Sequence, residues 1–466
     1  MKRVDVAVVG GGLAGLAGAL WLADRGARVA LVEKRRRLGG LTWSFEREGR
    51  WFDNGQHVFL RCCHAYRGFL ARIGAVGDVV VQDRLRVPVL SPSGRRAVIA
   101  RDRLPAPAHL ARALLGYRHL SVADRLRLGP AAWALLRLDP EDPALDRESF
   151  GAWLARHHQR PQAVTELWDL IVRPTVNLPA EEASLAMAAR VFRTGLLDQA
   201  DAGDIGWASV PLGDLHGRRA ATALQQAGVE VSLGGAVAGL ERARGGWQLG
   251  FADGSLLAAE AVVLAVPPGP AAALAPAGSL PAVERLGASP IVDVQLVLDR
   301  RVTEEPFFGA VGSPVQFVFD RTRAAGVDPG AGQVLAVSLS AADDWVGRRP
   351  EACVAEVRGG LEALIPRMAR ARVLDAVVTK EQQATIRARP GTAAARPHPG
   401  LVAPGLAVAG AWCQTGWPST MEGAVRSGWE AAGQVLATLA GRARSSRPSS
   451  VDADPLVGVS SQEEVR

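Results

Sequence analysis

Val6-Ala7-Val8-Val9-Gly10-Gly11-Gly12-Leu13-Ala14-Gly15-Leu16-Ala17-Gly18 decides how the rest of the chain is read. β-Branched residues run up to Gly10, and a Leu/Ala-rich stretch with helical spacing follows from Leu13. Strand, glycine turn and helix, in that order, make Gly10-x-Gly12-x-x-Gly15 a dinucleotide-binding fingerprint. Gly10 permits the tight turn, Gly12 lets the backbone approach a pyrophosphate, and Gly15 lets the helix lie against the strand. Leu13 and Ala14 open the helix, where free N–H groups and the helix dipole meet phosphate charge. Residues 28–32 read as the next strand, ending at Glu33, eighteen residues after Gly15. A carboxylate there accepts the adenosine ribose hydroxyls and repels a 2′-phosphate, which disfavours NADP. Residues 6–23 carry no charge and could pass for a signal peptide or membrane span by length. Five glycines arranged around a turn argue for a buried strand and helix instead.

The 466 residues exceed one simple core and suit two closely built domains. At 48% hydrophobic and 22% charged, the composition is that of a folded protein. Net charge is +7, with only three lysines (Lys2, Lys34, Lys380), so arginine carries the excess. These cations scatter along the chain and form no basic stripe, so nucleic acid is not an expected partner. An anionic membrane surface suits scattered cations better. Cys62, Cys63, Cys353 and Cys413 form no CxxC pair and have no histidine spacing suited to zinc, so no metal site is expected. Reduced thiols of this kind point to the cytoplasm.

Beyond the first unit, residues 109–138, 150–158 and 163–172 have helical spacing and read as a helical insertion. Strand patterns return at 229–233, 247–251 and 261–265, with Asp253-Gly254 as a hairpin turn. A second β-rich region covers 291–298, 315–319 and 334–339, beside a helix at 353–365. A buried strand at 406–409 and a helix at 424–440 close the folded part. Residues 442–466 are rich in Ser, Pro and acidic side chains and read as a disordered tail.

Further motifs follow Glu33. The basic run Lys34-Arg35-Arg36-Arg37 precedes Gly39-Gly40, a pair suited to a second close backbone approach to the dinucleotide. Arg36 and Arg37 read as exposed charge, though one arginine of the run could neutralise phosphate. Asp53-Asn54-Gly55-Gln56-His57 then packs polar side chains around one glycine. Near the other end stands Gly410-Ala411-Trp412, followed by Gly416-Trp417-Pro418-Ser419-Thr420-Met421-Glu422-Gly423-Ala424-Val425-Arg426-Ser427-Gly428.

Together these segments resemble the flavin amine oxidase and phytoene desaturase superfamily, over about residues 1–440. The resemblance implies an α/β fold: a discontinuous Rossmann-like FAD-binding domain, an inserted mixed-sheet substrate domain and a helical insertion. FAD would be held by Gly10, Gly12, Leu13, Ala14, Gly15, Glu33, Lys34, Gly39, Gly40, Gln56, Val237, Gly410, Ala411 and Met421. The family's usual acidic residue after Gly410 is Ala411 here, so one ribityl contact is lost or replaced. The implied division gives residues 1–85, 206–270 and 401–441 to the FAD domain, 86–205 to the helical insertion and substrate entry, and 271–400 to the substrate domain.

Within the superfamily, DNGQHVF, the Arg173-Pro174-x-x-Asn177-Leu178-Pro179 stretch and the TGWPSTMEGAVRSG ending resemble the hydroxysqualene dehydroxylases. That branch implies reduction of an isoprenoid alcohol, hydroxysqualene, to squalene, with electrons from a donor the sequence does not name. The reaction needs an acid, an apolar channel and faces that stabilise an allylic cation. His57 is the first candidate acid, because its ordinary pKa lies near neutrality. Asp53 and Glu422 follow, if burial raises their pKa values. Trp43, Trp412 and Trp417 are candidate channel walls. Residues 109–138, with Leu, Trp133 and several arginines, could rest on a membrane surface and feed the channel. Alternatives are a phytoene-type desaturase, and a non-enzymatic prenyl-lipid carrier on the same fold. An amine oxidase is disfavoured, because Asp293-Val294-Gln295-Leu296-Val297-Leu298 has no lysine to stand beside a flavin.

Overall fold

The computed structural model describes residues 2–280 and 283–445. At its centre, strand Lys2–Val9 pairs in parallel with Val29–Glu33 on one side and Leu256–Leu264 on the other. Glu230–Leu233 extends this sheet beyond Val29–Glu33, and Leu406–Val408 extends it beside the second half of Leu256–Leu264. Val6, Ala7 and Val8 are fully buried, because both faces of a parallel sheet are covered. Helices Leu13–Ala23 and Met421–Ser445, the first and last of the described chain, cover the Val6 and Val8 face, while Ala7 on the other face packs in a cluster with Leu249, Ala271 and Leu286. The nucleotide fold is thus discontinuous. An antiparallel meander, Val237–Ala243, Gly246–Phe251 and the first half of Leu256–Leu264, completes the sheet. Its Asp253-Gly254 turn has Gly254 at φ +82°, as the hairpin reading requires.

A second sheet has seven strands: Val373–Thr385, Ser289–Leu298, Gln333–Ser340, Phe317–Asp320, Phe307–Ala310, Arg86–Leu90 and Arg96–Ala100, in spatial order. Helix Pro350–Leu364 covers one of its faces. The hairpin Arg86–Leu90/Arg96–Ala100 joins this sheet. Its sequence, next to helical segments, gives no sign of that, so the insertion starts with strands rather than helices. Val373–Thr385 also went unread as a strand: its polar residues face half-buried surroundings, and period-2 patterning is weak there.

Along strand Ser289–Leu298, side chains alternate between faces. Val292, Val294, Leu296 and Leu298 pack under helix Pro350–Leu364. Ile291, Asp293, Gln295 and Val297 face the other way, toward the segment that carries Asp53 and Gln56.

Residues 109–138 hold two α-helices, Ala111–Leu115 and Val122–Leu136. Ser121 caps the second, its Oγ accepting the Asp124 N–H at 3.2 Å. Tyr117, in the break, is buried and donates to the Glu166 carbonyl at 2.6 Å. Of the expected tail, residues 442–445 continue the last helix, and residues 446–466 lie outside the described residues.

Candidate functional site

Gly10 has φ +112° and donates its N–H to the Val32 carbonyl at 2.8 Å. A Cβ at Gly10 would sit 2.3 Å from the Ala265 carbonyl oxygen, and one at Gly15 would sit 1.9 Å from that of Gly10. Both glycines are therefore enforced by backbone contact. The helix that follows has no side-chain cap and no acidic residue in its first turn, which leaves the Leu13 and Ala14 end electropositive. Gly12 is different: an added Cβ would meet only the Gly40 Cα, at 3.7 Å, and its outer side is open.

Gly39 and Gly40 serve this first loop. Gly39 donates its N–H to the Gly11 carbonyl at 2.9 Å, and a Cβ on Gly40 would lie 2.8 Å from the Gly12 Cα. The second glycine pair thus packs on the first. Glu33 is buried; its carboxylate accepts the N–H groups of Gly11 (2.7 Å) and Arg35 (2.8 Å). Its carbonyl accepts the Gly235 N–H at 3.2 Å, which brings the Val237 segment alongside. Lys34, Arg35 and Arg36 are exposed, but Arg37 is not. Its guanidinium lies 4.2 Å from the Trp43 ring centroid and donates to the Gly40 carbonyl at 3.0 Å. Burial, then the Arg35 charge, lowers its pKa to about 10, so Arg37 still carries its charge at neutral pH. This corrects the exposed reading for Arg37.

At the other end of the chain, Gly410 donates its N–H to Ser427 Oγ at 2.8 Å, and an added Cβ there would strike the Trp412 indole. The Ala411 carbonyl accepts from Ser419 Oγ at 3.0 Å. Buried Arg396 donates to the carbonyls of Ala411 (3.3 Å), Trp412 (3.3 Å) and Trp417 (3.0 Å), gathering the loop that leads into Met421. Nothing in the sequence marks Arg396, because its oxygen partners are all backbone carbonyls and its one side-chain partner is the Met187 sulfur. Gly428 meets the first helix directly: a Cβ there would lie 2.2 Å from the Ala14 carbonyl oxygen.

The three candidate acids fare differently. Asp53 is buried and paired with Arg321, and it also accepts the Ser44 hydroxyl (2.6 Å) and the Leu212 N–H (2.9 Å). A guanidinium and two other donors thus engage this carboxylate within the fold. Glu422 is also fully employed. It accepts the Ala65 and Tyr66 N–H groups at 3.2 and 2.7 Å, capping helix His64–Arg72 from 356 residues away, and pairs with Arg426. Both candidate carboxylates are thus placed in contacts that join distant segments of the fold. The His57 Nδ1 is 2.9 Å from the Gly55 carbonyl, and burial lowers the His57 pKa. A neutral ring donating from Nδ1 has no proton left on Nε2 to give.

Gln56 lines an apolar cleft, which encloses about 1550 Å³ of non-atom space, part of it open to solvent. Its walls are Leu, Ile, Val and Phe from the helical insertion and both hairpin strands, with Trp168, Phe192, Phe307, Phe317 and Phe319 as aromatics. Trp43, Trp412 and Trp417 take no part in this lining, which corrects their proposed role. Trp412 donates to the Val266 carbonyl at 3.0 Å, while Trp43 and Trp417 pack against arginines. Of the few polar wall residues, Ser338 and Ser340 stand opposite Asp293 and Ile291 across the strand pair. Gln56 donates its N–H to Asp293 Oδ1 at 3.0 Å. The cleft is therefore apolar along its length and polar where it reaches the Asp53–His57 segment. Asp293 is missed by a motif search: it is one acid in a run of β-branched residues.

The sequence model described as flavin containing amine oxidoreductase matches residues 13–436. The chain belongs to that family. It is an FAD-dependent oxidoreductase. The open face at Gly12, the uncapped helix start and the fixed Glu33 carboxylate fit such a dinucleotide. Hydroxysqualene dehydroxylase of Rhodopseudomonas palustris is 29% identical, covering 94% of this chain and 99% of that protein. A zeta-carotene desaturase of Zea mays is 30% identical over a shorter stretch, 36% of this chain and 31% of that protein. The putrescine oxidase structure shares the fold at TM-score 0.71 and 18% identity, covering 93% of this chain and 99% of that one.

Proposed function

We propose that this flavoenzyme reduces hydroxysqualene to squalene, replacing an allylic hydroxyl by hydrogen. The observation that carries this reading is the cleft: lined almost wholly by hydrocarbon, with Gln56, Thr175, Ser338 and Ser340 as its few polar residues. Such a lining suits an extended isoprenoid chain. Near-full-length similarity to a hydroxysqualene dehydroxylase, at 29% identity, supports this substrate.

Bound FAD supplies hydride chemistry when reduced. The chain's own part is to hold the polyene in a dry groove, turn its hydroxyl toward the polar end and furnish a proton. Phe307, Phe317 and Phe319 line the groove, and aromatic rings can stabilise a developing cation.

The helices that form the outer cleft wall also support delivery from a lipid surface. Leu114, Leu128, Ala132 and Leu135 face the cleft, while Leu115, Val122, Leu126 and Trp133 are each more than half exposed. Arg112 and Arg118 are exposed nearby in sequence. No helix among the described residues is long and apolar enough to cross a membrane, so the contact proposed is peripheral.

The test is anaerobic incubation of the photoreduced holoenzyme with hydroxysqualene. Squalene formed in step with flavin reoxidation is the expected result. Unchanged alcohol, with dehydrogenation of phytoene by the oxidised enzyme, would replace this reading by that of a desaturase.

A further inference from the structure

Asp293 is 1% exposed, and its Oδ2 has no hydrogen-bond partner. Such an atom is costly in a folded interior, and here the chain holds space open for it. A Cβ at Gly55 would come within 3.1 Å of Oδ2, so the glycine of the Asp53–His57 segment keeps that oxygen clear. The segment is clipped over the strand at two points on one face: Gln56 donates to Asp293 Oδ1, and Gln295 donates to the Asp53 carbonyl at 2.8 Å. Ser338 and Thr379 stand opposite Asp293 on its two neighbouring strands. The Thr379 hydroxyl is also buried without a partner. Ser338 faces both ways, since it lines the cleft and its hydroxyl acts on the Asp293 carboxyl.

We propose that Asp293 stores the proton needed by the leaving hydroxyl and passes it through the Ser338 hydroxyl into the cleft. This rests on the dehydroxylase reading. Asp293 gives its proton to Ser338 Oγ as Ser338 gives its own to the substrate oxygen. The allylic C–O bond breaks with its electron pair on oxygen, and water leaves. The carbon takes a hydride, hence two electrons, from the reduced flavin. Asp293 is left as the carboxylate and takes a proton back from solvent before the next turnover.

Burial holds the Asp293 pKa up at about 7, against the pull of the Gln56 N–H and the Ser338 hydroxyl, and the Asp53 charge adds to the rise. The other groups around it do not supply a competing proton. Asp53 is tied to Arg321, His57 lies beyond Gly55 with its own pKa lowered, and Glu381, on the Thr379 strand, acts on Arg37.

The test compares wild-type holoenzyme with Asp293→Asn, which keeps an acceptor for Gln56 but stores no acidic proton. Single-turnover reoxidation of the reduced flavin by hydroxysqualene is followed across pH. The wild-type rate should fall as pH rises through about 7. Asp293→Asn should lose that limb and run about a hundredfold slower or more, with its FAD spectrum unchanged. The infrared carbonyl band of a protonated carboxylic acid should be present in the wild type at neutral pH and missing from the variant. Ser338→Ala should slow turnover and leave that band in place. A pH limb or a carboxylic acid band that survives in Asp293→Asn overturns the assignment. Wild-type enzyme that leaves hydroxysqualene untouched overturns the substrate reading instead.

Discussion

Arg321 Nη2 lies 2.7 Å from Asp53 Oδ2, in an ion pair with both side chains less than a tenth exposed. The pair joins the segment behind the glycine motifs to the substrate sheet, across 268 positions of chain. Removing one partner strands a buried charge, whereas removing both leaves none. Arg321→Met is therefore expected to cost about 3–5 kcal/mol in denaturant unfolding, and Asp53→Asn combined with it to cost clearly less. Equal losses in the single and double variants would show that the pair itself is unimportant.

The contact between Gly428 and Ala14 sets how closely the first and last helices cross. Gly428→Ala pushes a methyl group into the Ala14 carbonyl. Overpacking of this kind costs about 1–3 kcal/mol. The purified variant should melt earlier and retain less flavin per chain. Full FAD occupancy with an unaltered melting temperature would mean that the helices separate freely.

Glu33 is held in place by two backbone donors before any ligand arrives. Glu33→Gln weakens charge-assisted hydrogen bonding to ribose hydroxyls, each such bond being worth about 1.5–3 kcal/mol. FAD affinity measured by fluorescence should drop by about tenfold to a hundredfold. An unchanged dissociation constant would place the ribose elsewhere.

Leu126 and Trp133 are 63% and 57% exposed on the helix whose inner side lines the cleft. A buried side chain of this size is worth about 1.5–3 kcal/mol. Leu126→Glu with Trp133→Glu should abolish co-sedimentation with anionic liposomes and leave FAD content intact. Wild-type protein that stays in the supernatant would refute the surface contact.

Asp293 also links stability to pH. Its folded pKa, about 7, stands above its ordinary 3.8, so the protonated form is the one the fold favours. Its stabilising share is full below pH 3.8 and is lost as pH rises through 7. At 1.36 kcal/mol per unit, that share is on the order of 4 kcal/mol. Asp293→Asn should gain stability relative to wild type between pH 4 and 7 in paired denaturation curves. Parallel curves would mean that the carboxyl is not perturbed.

The glycine loop could be read in advance because each glycine answers a local demand: a positive φ at Gly10, a backbone collision at Gly15. The Gly39-Gly40 pair was legible as a close backbone approach, and its packing on the first loop is what the fold adds. Helices such as Phe150–Arg156 came from apolar spacing, whereas the break at Tyr117 and the strand Val373–Thr385 did not. Both depend on what lies across from them. The carboxylates show the same divide. Motif position drew attention to Asp53 and Glu422, which the fold occupies with Arg321 and with a distant helix N-terminus.

From its residues alone, this chain determined a nucleotide fold entered at Gly10, a carboxylate closing the second strand at Glu33 and a closing helix after Met421. These rest on backbone geometry and on short spacings, which tertiary packing does not alter. Only the tertiary structure decided which acid is free to hold a proton, where the hydrocarbon cleft runs and which aromatics line it. A carboxyl's protonation follows from its desolvation and from the charges beside it, and those neighbours arrive from hundreds of residues away.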